Sequence, residues 1–147
     1  MNRTNVEIAR LVCEEVWGKG KAELVDELYA EDYVDLNPVP GIPANREGLK
    51  MQLGIYHQAF PNLGVEVEET VVDGDKIVVR YTIRGTHGGE LMGIPATGKT
   101  CQIAGISMIR LANGKVVEEF SLADMMTLFQ KLGLAGEMGE TAVEGTT

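Results

Sequence analysis

The sequence predicts an α+β fold in which a curved antiparallel sheet forms a cone around helices that come before it in the chain. Apolar residues recur at helical spacing up to residue 60, and from residue 65 to residue 120 they alternate with a period of two. Pro61 separates the two patterns. Three helices can cover one face of a four-stranded sheet only if the sheet curls around them. Such an arrangement leaves an apolar cavity at the wide end.

Each predicted helix has a recognisable beginning or end. Thr4-x-x-Glu7 is a capping box, which satisfies free amides at the start of the first helix. Pro61 ends the third helix. The helices are predicted at 4–18, 22–29, 45–60 and 124–132. Three prolines in "YVDLNPVPGIP" exclude a helix there and predict an extended segment followed by a turn.

The predicted strands cover 65–72, 77–86, 100–111 and 115–120. Asp73-Gly74-Asp75 and Asn113-Gly114 are typical of tight hairpin turns, so these four strands form an antiparallel meander. The second strand carries apolar residues on one side. Its other side carries Val78, Arg80, Thr82 and Arg84.

The chain has 147 residues, which predicts one domain over 1–134 and a flexible tail over 135–147 that is rich in Gly, Glu and Thr. A net charge of -9 argues against nucleic acid and an anionic membrane surface as partners. No run approaches the ~20 apolar residues of a membrane span, and no secretion signal is recognisable. We therefore expect a cytoplasmic protein. Cys13 and Cys101 lie outside any metal-ligand pattern, so no metal site is predicted.

A glycine-rich stretch, "GTHGGELMGIPATGK" at 85–99, could be taken for a phosphate loop. It leads from strand to strand and lacks the G-x-x-x-x-G-K-[ST] string, so we reject phosphate binding. We expect a structural loop in which Leu91, Met92 and Ile94 partly cover the cavity. His87 is expected to fix this loop by hydrogen bonds, with contact to a ligand as the alternative.

Several strings in their order resemble one family: "AFPNL", "DGDKIVVRYTIRGTHGGELMGIPATGK", "NGKVVEEFSLAD" and "FQKLG". They resemble the SnoaL-like polyketide cyclases, or ester cyclases, over about residues 4 to 133. The resemblance implies the nuclear-transport-factor-2-like, or cystatin-like, α+β roll. It also implies an intramolecular aldol condensation on an apolar polyketide ester, with no metal or organic cofactor. The acid–base aspartate of the family matches Asp124.

Asp124 has two interpretations. Its apolar neighbours in "LADMMTLF" predict a poorly hydrated carboxyl whose pKa is raised, as an acid–base residue requires. Aspartate is also a favoured helix N-cap, and Ser121-x-x-Asp124 is a variant of the capping box. The sequence leaves both roles open.

The remaining candidates could bind substrate. Arg80 and Arg110 would do so if their side chains enter the cavity, and on the outer face they would be solvated or pair with Glu66 and Glu68. His57 could polarise a carbonyl group or simply lie at the core boundary, and Asn37 could donate a hydrogen bond or only form a turn before Pro38. Leu36 replaces a histidine common in the family, which removes a polar group expected in the pocket. The full set of predicted substrate-binding residues is His57, Asn37, Tyr33, Arg80, Arg110, Trp17, Phe60 and Met108.

Other functions remain compatible with the same fold. A non-catalytic protein could hold an apolar small molecule, and an isomerase could use similar acid–base chemistry. An epoxide hydrolase of this fold would need an Asp-Arg-Asp set, to which Asp124 with Arg80 or Arg110 could contribute. The outer face of the sheet predicts a homodimer, with Val78 and Thr82 at the contact.

Overall fold

A computed structural model describes residues 3–133 of the chain, so the tail predicted at 135–147 lies outside the described residues. The helices are α1 (Asn5–Leu11), which continues as a π-helix (Val12–Trp17), a 3₁₀ turn (Ala22–Leu24) that runs into α2 (Val25–Leu28), α3 (Arg46–Ala59) and α4 (Met125–Lys131). The strands are β1 (Tyr29–Asp35), β2 (Gly64–Asp73), β3 (Lys76–Thr86), β4 (Thr100–Ala112) and β5 (Lys115–Ala123). Among these residues no helix is long and apolar enough to cross a membrane.

The α+β class and the roll are confirmed, with one correction to the sheet. It has five strands in the order β1-β5-β4-β3-β2, whereas four antiparallel strands were predicted. The added strand, β1, pairs parallel to β5, so the sheet is mixed. It occupies an edge just before the three prolines, since proline cannot donate to a sheet ladder. The second helix accordingly ends at Leu28, earlier than predicted.

The first helix begins as predicted, with the Thr4 side chain accepting from the Glu7 amide at 3.1 Å. Its second half is wound as a π-helix, in which the Gly18 amide donates to the Cys13 carbonyl. This wider winding was not predicted. It occurs where Cys13 and Trp17 line the cavity described below, and π-helical turns are frequently found at functional sites.

The helices pack on one face of the sheet and form the main core with it. Ile77, Val79 and Ile109 of the sheet are fully buried there, as are Val12 and Val16 of the first helix. A second apolar cluster joins the end of α3, the start of β4 and α4. The gap between the two clusters is where a cavity can form.

A β-bulge in β5 decides which of its side chains face the helices. Arg110 of β4 pairs with Glu118, whereas its neighbour Leu111 pairs with Val116, so Val117 is an extra residue without an opposite partner. The alternation of β5 therefore changes phase at Val117. Val116 and Glu119 are both buried, and Phe120 is turned to the outer face.

The glycine-rich loop connects β3 and β4, as predicted, and His87 fixes it. His87 is fully buried, and its Nδ1 accepts from the Thr97 hydroxyl at 3.0 Å and from the Thr97 amide at 3.3 Å. The prediction that Leu91, Met92 and Ile94 partly cover the cavity is wrong. Leu91 is fully buried in the second apolar cluster, Met92 is exposed, and no residue from Thr86 to Thr100 is in the cavity lining.

Candidate active site

A cavity of about 290 Å³ lies between the helices and the inner face of the sheet. This volume is at the lower end of the range for small-molecule pockets, which favours a compact ligand. Most of its wall is apolar, and the polar side chains come mainly from β1 and β5. The aromatic part of the wall consists of Trp17, Tyr33, Tyr56, Phe60 and Tyr81, and the polar part includes Asp35, Asn37, Gln52, Glu119 and Ser121.

Glu119 is the acidic group of the cavity that is best shielded from water. Its residue is 5% exposed, and it stands on β5 just after the Val117 bulge. Ser107 Oγ donates to Glu119 Oε2 at 2.6 Å and Ser121 Oγ donates to the same oxygen at 3.1 Å. Tyr29 Oη donates to Oε1 over a longer distance of 3.4 Å. Three hydroxyl groups thus hold the carboxyl in place.

The pKa of the Glu119 carboxyl is raised above its ordinary value. Burial is the main cause, because a carboxylate loses its hydration inside the protein. The Ser107 and Ser121 hydroxyls act in the opposite sense, since they donate to the charged form, and the nearby Asp35 raises the pKa again. A carboxyl group of raised pKa is the kind of group that can both accept and return a proton near neutral pH.

Four predicted substrate-binding residues do lie in the cavity wall: Tyr33, Asn37, Trp17 and Phe60. Tyr33 is 3% exposed and packs edge-on against Tyr29 with ring centroids 4.8 Å apart. Asn37 Nδ2 donates to the Ser121 carbonyl at 2.9 Å, which ties the segment after β1 to β5. Their contact with a substrate stays a prediction.

Asp124 does not have the environment predicted for an acid–base residue. It is exposed, lies outside the cavity lining and caps α4, where Asp124 Oδ1 accepts from the Thr127 amide at 3.1 Å. Its pKa is lowered, mainly by the hydrogen bonds from the Thr127 hydroxyl and amide. The expectation of a dehydrated carboxyl with a raised pKa was therefore wrong. The structure instead supports the alternative interpretation, in which Asp124 is the N-cap of α4.

Three other polar candidates also lie outside the cavity lining. His57 Nε2 donates to the Trp17 carbonyl at 2.7 Å and so joins α3 to the end of the first helix. Arg80 is exposed and its Nε lies 3.2 Å from Glu69 Oε1. Arg110 Nε lies 2.7 Å from Glu118 Oε1. The sequence left these orientations open, and the structure places Arg80 and Arg110 at outward positions of β3 and β4 and His57 outside the cavity lining.

Met108 and Leu36 also face away from the cavity. Residues of β4 with odd numbers are buried from Cys101 to Leu111, so Met108 is outward and is 46% exposed. Leu36 is 50% exposed and is not in the cavity lining. The exchange of the family's histidine for Leu36 therefore does not remove a group from this wall.

Sequence reasoning missed four polar residues of the cavity wall, Asp35, Gln52, Glu119 and Ser121, and also Ser107, which donates a hydrogen bond to Glu119. Strict alternation from the buried Val116 predicts that Phe120 faces inward and Glu119 faces solvent. The unpaired Val117 reverses this order, so the inward position of Glu119 could not be predicted from alternation. Gln52 was recognisable in principle. It follows Leu49 by three residues on α3, which gives a polar residue on an otherwise apolar helical face.

The charge of the cavity is negative. Asp35 and Glu119 both line it, and Arg84 is the cationic residue of the described lining. Arg84 Nη1 lies 2.7 Å from Glu66 Oε2, and its Nε donates to Gln102, so this guanidinium is engaged elsewhere. Within residues 3–133 no cluster of His, Cys, Asp or Glu has the arrangement of a metal site. The cavity thus suits an uncharged, largely apolar molecule that meets one buried carboxyl group.

The fold and the cavity define an α+β roll with a largely apolar site, and Glu119 is the buried acid among residues 3–133. Comparison with known proteins gives the family. The profile of the SnoaL-like polyketide cyclases matches residues 7–132, and the chain belongs to this family. A characterised relative is the aklanonic acid methyl ester cyclase DnrD of Streptomyces peucetius. It is 25% identical over 136 residues, which is 88% of this chain and 91% of that protein.

Solved structures agree with this assignment. A proposed polyketide cyclase from Bacillus cereus superposes with a TM-score of 0.78 at 31% identity, over 88% of this chain and 80% of that one. IdmH, a proposed polyketide cyclase from Streptomyces antibioticus, gives a TM-score of 0.79 at 29% identity, over 90% of this chain and all (100%) of that one.

Proposed function

We propose that the protein is a polyketide cyclase that closes a ring by an intramolecular aldol condensation on an apolar keto-ester, without a cofactor. The observation that carries the proposal is the buried carboxyl of Glu119, which projects into an apolar cavity of a SnoaL-like fold. The family relationship supports the reaction class, since DnrD is named for cyclising aklanonic acid methyl ester.

In this reaction a base removes a proton from the carbon between two carbonyl groups. The resulting enolate carbon attacks the carbon of a further carbonyl group in the same molecule, and the new alkoxide takes up the proton. No atom is gained or lost, so one group that first accepts and then returns a proton is sufficient. Glu119 fits this role because its pKa is raised by burial and it remains in contact with the cavity.

Other residues of the wall would bind the substrate. Asn37 and Gln52 carry amide groups that can donate to ester or ketone oxygens, and the Tyr33 hydroxyl can do the same. Trp17 and Phe60 would pack against the apolar skeleton of the substrate. An ester suits this wall better than a free acid, because Asp35 would repel a carboxylate and Arg84, the cationic residue of the described lining, is already paired with Glu66.

The test compares Glu119→Gln with Asp124→Asn on aklanonic acid methyl ester and related polyketide methyl esters. Ring closure is followed by chromatography, which separates the substrate from a product of equal mass. Glu119→Gln keeps the size of the side chain and should abolish ring closure, whereas Asp124→Asn should retain it. The reverse result would return the acid–base role to Asp124. Binding of these esters without ring closure by the wild-type protein would favour the non-catalytic alternative.

The epoxide hydrolase alternative has less support. It needs an arginine beside the acids that hold a water molecule. Among the described residues Arg80 and Arg110 are ion-paired outside the cavity lining, and Arg84, which lines the cavity, is paired with Glu66. An isomerase that uses Glu119 for the same proton transfer remains compatible with the site.

We also propose that two copies pair through the outer face of the sheet. Ile106 and Met108 of β4 lie opposite Leu122 and Phe120 of β5, and all four side chains are between 38% and 53% exposed. A patch of this kind, repeated on two identical subunits, is self-complementary about a twofold axis. A cytoplasmic location is consistent with the two buried free cysteines, Cys13 and Cys101.

A further inference from the structure

Asp35 lies beside Glu119 in the sheet. The two residues are partners in register between the parallel strands β1 and β5, so their side chains project from the same face. Both residues line the cavity. The Leu36 amide donates to the Glu119 carbonyl at 2.9 Å, and this hydrogen bond keeps the two backbones together at that level.

The Asp35 carboxyl is oriented by its own turn. Its Oδ1 accepts from the Asn37 amide at 2.9 Å, and Asn37 in turn donates to the Ser121 carbonyl. Asp35 is half-buried, whereas Glu119 is 5% exposed. Of the two carboxyl groups, Glu119 is therefore the one whose charge is costly to keep inside the protein.

The other groups around Glu119 bring no compensating positive charge. The hydroxyls of Ser107, Ser121 and Tyr29 hold its two oxygens. The further titratable groups that interact with it are Cys13 from the first helix, Tyr33 from β1 and Tyr81 from β3, and burial keeps all three neutral. From α3 the cavity receives the uncharged Gln52, and Arg84 is engaged by Glu66.

We propose that Asp35 is a positioning residue for the proton of Glu119, because the like charge of its carboxylate across the β1–β5 pair favours a protonated Glu119. Two carboxyl groups that share one site resist being ionised together, so the more buried group binds its proton more tightly. This inference rests on the proposed function, in which Glu119 is the group that exchanges a proton with the substrate.

The test follows the Glu119 carboxyl carbon directly, by ¹³C NMR titration of protein labelled at glutamate, with Glu119→Gln to assign the signal. Asp35→Asn keeps an acceptor for the Asn37 amide and removes the charge. This variant should lower the pH at which Glu119 is half titrated. Asp35→Glu keeps the carboxyl group, so its Glu119 should titrate close to the wild-type value. Asp32→Asn, an exposed position of the same strand, is the matched control and should leave the titration unchanged.

A second neutral variant, Asp35→Ser, should shift the titration in the same direction as Asp35→Asn. An unchanged Glu119 titration in both folded neutral variants would overturn the inference, as would an equal shift in Asp32→Asn. The NMR measurement needs no turnover, so it separates this inference from the proposed function. A downward shift in a protein that closes no ring would leave the role of Asp35 standing and remove the cyclase proposal.

Where ring closure is measurable, the same variants should move the pH profile of kcat/KM. In Asp35→Asn the pH profile of kcat/KM should shift to lower pH by the same amount as the titration of Glu119. A purely structural role for Asp35 would instead lower the rate at every pH without moving the profile.

Discussion

Ser107 Oγ lies 2.6 Å from Glu119 Oε2 and donates a buried hydrogen bond to it. Ser107 is 1% exposed, so no water can take its place without a rearrangement of the core. Of the three hydroxyl groups around this carboxyl, Ser107 makes the shortest hydrogen bond. Among the three hydroxyl groups, Ser107 therefore contributes most to stabilising the charged form of Glu119.

Ser107→Ala should raise the pKa of Glu119 further, because the variant removes a donor to the carboxylate and leaves burial unchanged. The pH profile of kcat/KM should move to higher pH. The free energy of unfolding at neutral pH should fall by roughly 1–3 kcal/mol, the range for a buried polar group that loses its hydrogen-bond partner. Ser121→Ala, whose bond is longer at 3.1 Å, is the comparison and should have a smaller effect on both quantities. An unmoved profile in Ser107→Ala would contradict this assignment.

Glu119 should make the stability of the protein depend on pH in a sense opposite to that of most carboxyl groups. Its pKa in the folded protein is raised above the ordinary value of 4.5, so the folded state binds the proton more tightly than the unfolded state does. Its contribution is fully present below the unfolded pKa and is lost as the pH rises through the folded pKa. Urea denaturation of wild type and Glu119→Gln over this interval should show the variant gaining relative stability with rising pH. A constant difference between the two would mean that Glu119 is not shifted.

Gly105 should be required for the position of Tyr81. The two residues are partners between β4 and β3, and a Cβ added at Gly105 would lie 2.5 Å from Tyr81 Cζ and 2.7 Å from its hydroxyl oxygen. Gly105→Ala should therefore displace the ring from the cavity wall and lower the free energy of unfolding by about 1–3 kcal/mol, as overpacking does.

Gly54→Ala provides the control for Gly105→Ala. Gly54 is exposed on α3, and a Cβ there meets nothing within 4 Å. This substitution should be neutral or stabilise the protein by up to about 1 kcal/mol, since alanine favours a helix. Thermal unfolding of both variants measures the contrast, and equal effects would exclude a special role for Gly105.

The homodimer proposal predicts that a charge in the outer patch separates the subunits. Met108→Glu and Phe120→Glu should shift the protein from dimer to monomer in sedimentation equilibrium, because each substitution buries two like charges near the twofold axis. Met126→Glu replaces a side chain of α4 that is 60% exposed and lies outside the proposed patch, so it should leave the mass unchanged. A wild-type protein that is monomeric at all concentrations would exclude the pairing.

Local sequence signals were sufficient for most of the elements. The Thr4 cap, the turns at Gly74 and Asn113-Gly114 and the inward face of β3 were all read correctly, because each depends on neighbours a few residues apart. β1 was missed as a strand because β5, with which it pairs, lies more than 80 residues further along the chain. No local pattern reports such a pairing.

The faces of β4 and β5 show the second limit. Both sides of β4 carry apolar residues, with Ile103 and Ile109 inward and Ile106 and Met108 outward, so alternation alone cannot assign Met108 to the core. In β5 the extra residue Val117 reverses the phase between Val116 and Glu119. One inserted residue exchanges every side chain that follows between the two faces of a sheet.

The sequence by itself determined the α+β class, the order of the helices and the β-meander, and the family to which the chain belongs. These follow from periodicity, capping and turn residues, which act over short distances, and from strings of residues that persist along the chain. Only the tertiary structure decided that Asp124 caps a helix while Glu119 lies buried among three hydroxyl groups. The burial of a carboxyl group depends on what packs around it, and here β1, β3 and the first helix, all distant in sequence, contribute groups next to Glu119.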